Sequence, residues 1–404
     1  MKRVSNWLFI IPFIFLLQAC SDEDYDYLPD AEPIVLDTKY DNKISGDNDF
    51  AFTLFKTVNR FDNSNVCISP LSVGMSLSMA LNGAAGKTLE EIETVLEISG
   101  YSPAEVNEYA QTLREALVNA DPSSRLSFEN SIWYRLGFYV ENSFVHLNQK
   151  YHKAEISALD FRDAGAVTRV NERVAKKTNN KITEIINEIP DDMIMYFINT
   201  ACFKGSWKFG FLLENTHTQP FFSDSNEMRD VQMMRQTGSF GYYMDENASY
   251  LELPYGNGAF SMTILLPHKE KSVAGIIDDL NSAGWEKINS GLKQTVVNVQ
   301  LPRFKVECDY DLQDQILPDL GMQSPFIPRL ADFRGINKNR DLYISNIKHK
   351  TMIEVDEDGL VPAGFKISES PSVEYIMNKP FAFIIKEKST GIILFTGKIN
   401  HPEV

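Results

Sequence analysis

The chain is poor in the arrangements that catalysis and metal binding draw on. Its six histidines, His146, His152, His217, His268, His349 and His401, are scattered through 404 residues without the short spacings that bring two imidazoles to one metal. No Gly-x-Ser-x-Gly elbow and no His-Glu-x-x-His occurs, which removes the commonest hydrolase signatures. Gly83-Ala-Ala-Gly86-Lys87-Thr88 ends like a phosphate loop but has two residues between its glycines. Wrapping a phosphate with backbone N–H groups takes four. Asp191-Asp192 and Asp356-Glu357-Asp358 read as exposed acidic turns rather than cation sites. On these absences the chain reads as a protein that is not an enzyme and uses no cofactor and no metal.

Positive charge is also scarce. There are 39 Lys and Arg against 55 Asp and Glu, a formal charge of −16, so no basic face balances a phosphate backbone and a nucleic-acid partner is excluded. No repeat of fixed period is visible. Long apolar runs are missing too: Trp7–Leu17 is too short to cross a bilayer. Preceded by Lys2 and Arg3, it reads as a signal peptide.

That run ends Leu17-Gln18-Ala19-Cys20, which resembles the lipobox of bacterial lipoproteins. The resemblance implies removal of residues 1–19 and lipid on the sulfur and amine of Cys20; the alternative is an ordinary secretory signal with an incidental cysteine. Ser21-Asp22-Glu23-Asp24 resembles the acidic tags that send some Bacteroidetes lipoproteins to the cell surface, or is simply a solvated tether. Residues 20–45 are acidic and aperiodic and read as a flexible tether. The implied location is the cell envelope, lipid-anchored at the outer membrane or cell surface. Loss of Lys2 and Arg3 takes the charge from −16 to −18, and three cysteines remain, Cys67, Cys202 and Cys308. An odd number without short spacing is no disulfide framework, and each reads as a buried thiol.

The remainder alternates between helical and strand periods. Asp49–Val58 has apolar residues at helical spacing, with Asp47 or Asn48 as N-cap. Leu71–Gly83 reads as a buried helix and Thr88–Leu96 as an amphipathic one, opened by a Thr88–Glu91 capping box. Leu126–Tyr134 reads as strand, Asn142–Tyr151 and Ala166–Lys177 as helices, and Met193–Phe203 as the middle of a large sheet. Ser249–Pro254, Phe260–Pro267 and Val296–Val306 follow as strands. Thr351–Val355 is a strand that breaks at Asp356-Glu-Asp-Gly359 and leads into a long irregular segment before Phe381. Such segments carry function more often than structure. The order fits an α+β fold.

Several short motifs in fixed order carry a resemblance to the serpins, from about Asn48 to Pro402. They are Ser69-Pro70-Leu-Ser72, Asn171…Val174 with Thr178…Lys181-Ile182, and Asn199…Phe203-Lys204-Gly205-Ser-Trp207. Leu253-Pro-Tyr255, Leu301-Pro-Arg-Phe304 and Leu320-Gly-Met…Ala331-Asp-Phe333 come next. His349-Lys350, Glu357-Asp-Gly359, Asn378-Lys-Pro-Phe381 and Phe395-Thr-Gly-Lys398 close the series. The resemblance implies one domain over residues 46–404, with three β-sheets, about nine helices and an exposed reactive-centre loop. It implies an inhibitor of serine proteases, with cysteine proteases as a second target class, that is monomeric. By the same resemblance Ser69, Ser72, Asn199 and His349 form a polar "shutter" under the central sheet. Glu357 and Gly359 belong to the hinge from which a cleaved loop enters that sheet.

The loop departs from the family pattern. Small residues are usual after the hinge, whereas this chain has Leu360-Val361-Pro362-Ala363-Gly364-Phe365. Pro362 has no N–H to give a ladder, and only Ala363 and Gly364 are small. Gly359 to Asn378 is 19 positions, about four fewer than is usual in inhibitory members. Counting back from Asn378 puts the scissile bond at Glu369-Ser370, and counting forward from the hinge puts it at Val373-Glu374. Glu369 implies a protease with a basic pocket, Val373 one of the elastase type. The competing reading is a non-inhibitory serpin, a binding scaffold or a protease substrate.

Overall fold

The apolar run around Phe197 is continuous because both faces of its strand are covered. In a computed structural model, which describes residues 29–339, 342–362 and 371–403, Met195–Gly205 lies at the centre of a five-stranded sheet. The strand order is Phe304–Asp311, Asn346–Val355, Met195–Gly205, Ser124–Arg135, Glu155–Leu159. Period-two alternation then splits the central strand between two cores. Met195, Phe197, Ala201 and Phe203 point to one face, and Tyr196, Ile198 and Cys202 to the other. The helix Ala166–Lys177 covers the second face with Ala166, Val170 and Val174, a stripe at four-residue spacing.

On the first face lies Pro70–Leu81. Ser69 caps it, accepting from the Ser72 N–H, and Pro70 occupies the first turn, where its missing N–H costs nothing. The small residues Ser72, Ser76 and Ala80 let this helix, buried at every position but Gly74, approach the sheet closely. Beyond it stands a nine-stranded sheet running from Val66–Ile68 through Ile393–Ile399 and Phe381–Glu387 to Lys293–Pro302 and Val373–Ile376. Phe203 packs edge-on against Tyr255 and Phe260, at 5.0 and 5.9 Å, joining the two large sheets. A third, two-stranded sheet pairs Gly359–Pro362 with Trp207–Gly210. With nine α-helices among the described residues, the class is α+β.

Four local expectations are corrected. The first helix is Asp41–Phe61, begun well before Asp47 and Asn48, because Lys43 pairs with Asp47 one turn on and the Tyr40 ring stacks on Tyr101 and packs at a tilt against Tyr109. The tether expected over 20–45 accordingly stops short. Thr38–Tyr40 is a 3₁₀ turn, the Ala31 N–H donates to Asn257 O, and Ile34 and Leu36 pack on the core. Thr88 and Glu91 form no capping box. The helix is Gly86–Val95, and both side chains serve a distant loop instead: Thr88 Oγ1 accepts from Asp332 N, and Glu91 accepts from Gln323 N and Ser324 N. Finally, Val296–Val306 is two strands, Lys293–Pro302 and Phe304–Asp311, which turn into different sheets at Arg303. The region resembling a phosphate loop is a turn in which the Cβ position of Gly83 is filled by Ile336.

Candidate functional site

The central sheet has a parallel seam where Asn346–Val355 lies beside Met195–Gly205, with His349 level with Asn199. Strand alternation turns both side chains toward the capped start of the Pro70–Leu81 helix, where Ser69, Ser72, Asn199 and His349 come together without solvent exposure. Asn199 Oδ1 accepts from Ser72 Oγ at 2.9 Å and from His349 Nδ1 at 2.5 Å. His349 Nε2 accepts from the Ser69 N–H at 3.3 Å, and Ser69 Oγ donates to Leu394 O at 2.7 Å. A ring that donates through Nδ1 and accepts through Nε2 is neutral, in keeping with burial pushing the His349 pKa down to about 3. The network therefore spans the seam through one imidazole. Opening the seam breaks the His349–Asn199 bond.

One member escaped sequence reasoning. Asn199 Nδ2 donates to Asn130 Oδ1 at 2.7 Å, extending the network to the next strand. The available signal was period two: Leu126, Phe128, Asn130 and Ile132 share one face, so Asn130 is a polar residue at a core position.

At the end of the seam the chain leaves the sheet through Asp356–Gly359, and each residue there is held. Arg303 grips the Glu357 carboxylate with two hydrogen bonds, Nη2 to Oε1 at 2.6 Å and Nε to Oε2 at 3.1 Å, and Thr216 Oγ1 donates to Oε1 at 2.7 Å. Burial pushes the Glu357 carboxyl up, but these donors outweigh it and hold the pKa below the ordinary value. Lys204 bridges Glu354 and Asp356 at 2.8 and 2.9 Å. Trp207 donates from its indole to Asp356 O and from its backbone to Asp358 O, while Phe211 N donates to Glu357 O. Ser206 Oγ donates to Asp358 Oδ2 at 2.7 Å. The acidic run read as an exposed turn is thus paired at all three carboxylates. Arg303 and Lys204 lay inside quoted motifs, but nothing local marked them as its partners.

Beyond the hinge, half-buried Leu360 follows Gly359 in the segment that pairs with Trp207–Gly210, and the backbone of Pro362 closes it, level with Gly210. Ala363, Gly364, Glu369, Ser370 and Cys20 lie outside the described residues. Val373 and Glu374 lie in a strand parallel to Lys293–Pro302, opposite Val297 and Asn298. Asn298 Nδ2 donates to Glu374 Oε2 at 2.5 Å and Ser372 N donates to Val296 O. A bond held in that ladder does not fit a protease cleft, which takes an extended, unpaired segment.

Nothing in this arrangement activates a nucleophile. The cysteines Cys67, Cys202 and Cys308 are buried free thiols, and burial raises all three pKa values. What the geometry offers is a central sheet with a parallel seam bridged by buried side chains, and a turn after Val355 held by Arg303, Lys204, Ser206 and Trp207.

The comparisons with known proteins agree with that architecture. Residues 45–402 match the family model described as Serpin (serine protease inhibitor). Neuroserpin of Gallus gallus is 32% identical over 359 residues, covering 85% of this chain and 87% of that protein. Leukocyte elastase inhibitor of Sus scrofa is 32% identical over 372 residues, covering 87% and 97%. Among solved structures, the native state of the thermophilic serpin tengpin superposes with a TM-score of 0.82 at 30% identity, covering 92% of this chain and 97% of that one. With the motifs, the three sheets and these matches in agreement, the chain belongs to the serpin family.

Proposed function

We propose that the protein inhibits a serine protease as a suicide substrate, by cleavage of its loop at Glu369–Ser370 and entry of the upstream half into the central sheet. The observation that carries the reading is the parallel seam. A segment turning back from Val355 through the hinge would enter antiparallel to both neighbours, replacing a parallel contact with two antiparallel ones, which are slightly more stable per residue. The native sheet is then a kinetic trap, with the inserted form lower in energy. The shutter and the hinge pairs are the contacts that hold the trap closed.

In the proposed reaction the protease serine attacks the carbonyl carbon of Glu369 and the C–N bond to Ser370 breaks. The Ser370 amine leaves with a proton, and an ester joins the two proteins. Insertion drags the ester-bound protease along the sheet and distorts its oxyanion hole, so water no longer completes hydrolysis. Glu369 calls for a protease with a basic pocket. The alternative bond, Val373–Glu374, implies an elastase-type enzyme and is disfavoured by its place in a strand ladder. Cysteine proteases, which form the corresponding thioester, are the second target class. The same proposal has Cys20 lipidated and the monomer tethered at the outer membrane or cell surface, resting on Leu17–Cys20.

A second reading, a non-inhibitory serpin that is bound or simply cleaved, rests on Leu360 and Pro362, since a proline gives no N–H to a central strand. Incubation with a glutamate-specific serine protease separates the two. Inhibition yields an SDS-stable band at the mass of the protease plus the chain up to Glu369, without the released C-terminal fragment; the second reading yields only the cleaved chain.

A further inference from the structure

Gly359 and Gly210 touch through bare backbone. A Cβ on Gly359 would stand 2.2 Å from Gly210 Cα and 2.5 Å from Gly210 N, distances at which no side chain fits. A Cβ on Gly210 would stand 3.0 Å from Gly359 Cα and 3.1 Å from both Gly359 N and Glu357 O. The contact sits where the hinge meets Trp207–Gly210, and the neighbouring hydrogen bonds, Trp207 N to Asp358 O and Phe211 N to Glu357 O, tie both sides of it to the hinge backbone. The two glycines have ordinary backbone angles, so closeness, rather than conformation, demands them.

We infer that Gly210 is a positioning residue that docks the hinge outside the central sheet and thereby sets the rate of loop insertion. The inference rests on the inhibitory reading. Hinge residues must leave Gly210 before they enter the seam, so the transition state for insertion lacks this contact while the native state has it. Gly210 itself belongs to a strand that stays behind. A side chain there acts on the docked state and leaves the inserted state unaffected, whereas a change at Gly359 would alter both.

The test uses the full chain, with Gly210→Val as the main variant and Gly210→Ala as the milder one. Each is incubated at elevated temperature, and the fraction whose loop is still cut by thermolysin is followed with time. Crowding the docked state speeds spontaneous conversion to the uncleavable, heat-stable form by about tenfold for Val, with Ala between Val and wild type. Melting of protein already nicked in the loop is the same for all three, which a merely structural role would not give. Equal conversion rates, or nicked forms that melt lower in step with the substitution, overturn the inference. If Gly210→Val does not fold, the ordering of Gly210→Ala against wild type decides. The inhibitory reading is separated by wild type alone: if nicking leaves its melting unchanged, insertion itself is refuted and the docking role falls with it. If nicking raises wild-type melting and the variants convert no faster, only the docking role falls.

Discussion

His349 Nδ1 donates to Asn199 Oδ1 at 2.5 Å across the parallel seam of the central sheet, with both side chains fully buried. Burial holds the His349 pKa near 3, against 6.5 for the exposed group. The unfolded chain therefore binds the extra proton first. The stability linked to neutral His349 is complete above pH 6.5 and is lost as pH falls from there towards 3, by about 1.4 kcal/mol per unit. His152, held near 3 by burial and by Arg114, adds to the same slope. Replacing His349 with Gln should flatten the fall in stability between pH 6.5 and 5 by about one proton's worth, with the His152 contribution left. Denaturation across that range checks this; an unchanged slope would contradict it.

Asn199 is the hub of the network. Asn199→Ala leaves the His349 N–H and the Ser72 hydroxyl without an acceptor and Asn130 Oδ1 without its donor. The expected loss is about 3 kcal/mol, against about 1 kcal/mol for Asn130→Ala, which strands a single Asn199 N–H group. Unfolding midpoints of the two variants at neutral pH give the comparison, and equal losses would deny Asn199 the central place.

Glu357 depends on Arg303. Arg303→Ala leaves a carboxylate that is mostly buried with Thr216 as its remaining side-chain donor, costing about 2 kcal/mol at neutral pH. The Glu357 pKa is lowered in the native state, so the stability it brings is present above the ordinary value near 4.5 and is lost as pH falls through its lowered one. The gap between wild type and Arg303→Ala should close below pH 4.5. A gap independent of pH would mean that Arg303 acts through packing alone.

Leu360 and Pro362 are the residues least suited to a central strand. Leu360→Thr with Pro362→Ala should raise the share of SDS-stable complex over cleaved chain when the loop is attacked by a glutamate-specific serine protease. The band ratio on one gel measures the partition. No change would show that the composition after the hinge does not limit insertion.

The strands and the buried helix were legible because their information is local: period two through Leu126–Tyr134, and small or apolar residues throughout Leu71–Gly83. Ser69, Ser72, Asn199 and His349 were legible as motif members, although only the fold brings their side chains into one network. What stayed hidden depends on partners far away in sequence. Thr88 and Glu91 have the spacing of a capping box, but the loop at Gln323–Asp332 claims both. Lys43 looked like tether and Asp47 like an N-cap until Tyr109 and each other supplied their contacts. The turn after Val355 was visible from Glu357 and Gly359, while Arg303 and Thr216, which pair with Glu357, and Gly210, which touches Gly359, carry no local mark of those contacts.

The proposed function turns on insertion of the loop into the parallel seam once it is cut. Its most direct test is thermal melting of the intact protein and of protein nicked in the loop by a glutamate-specific endopeptidase, with the cut mapped by mass. Insertion predicts a large rise in melting temperature on nicking, as an antiparallel strand fills the space between Asn346–Val355 and Met195–Gly205. An unchanged or lower melting temperature would contradict it.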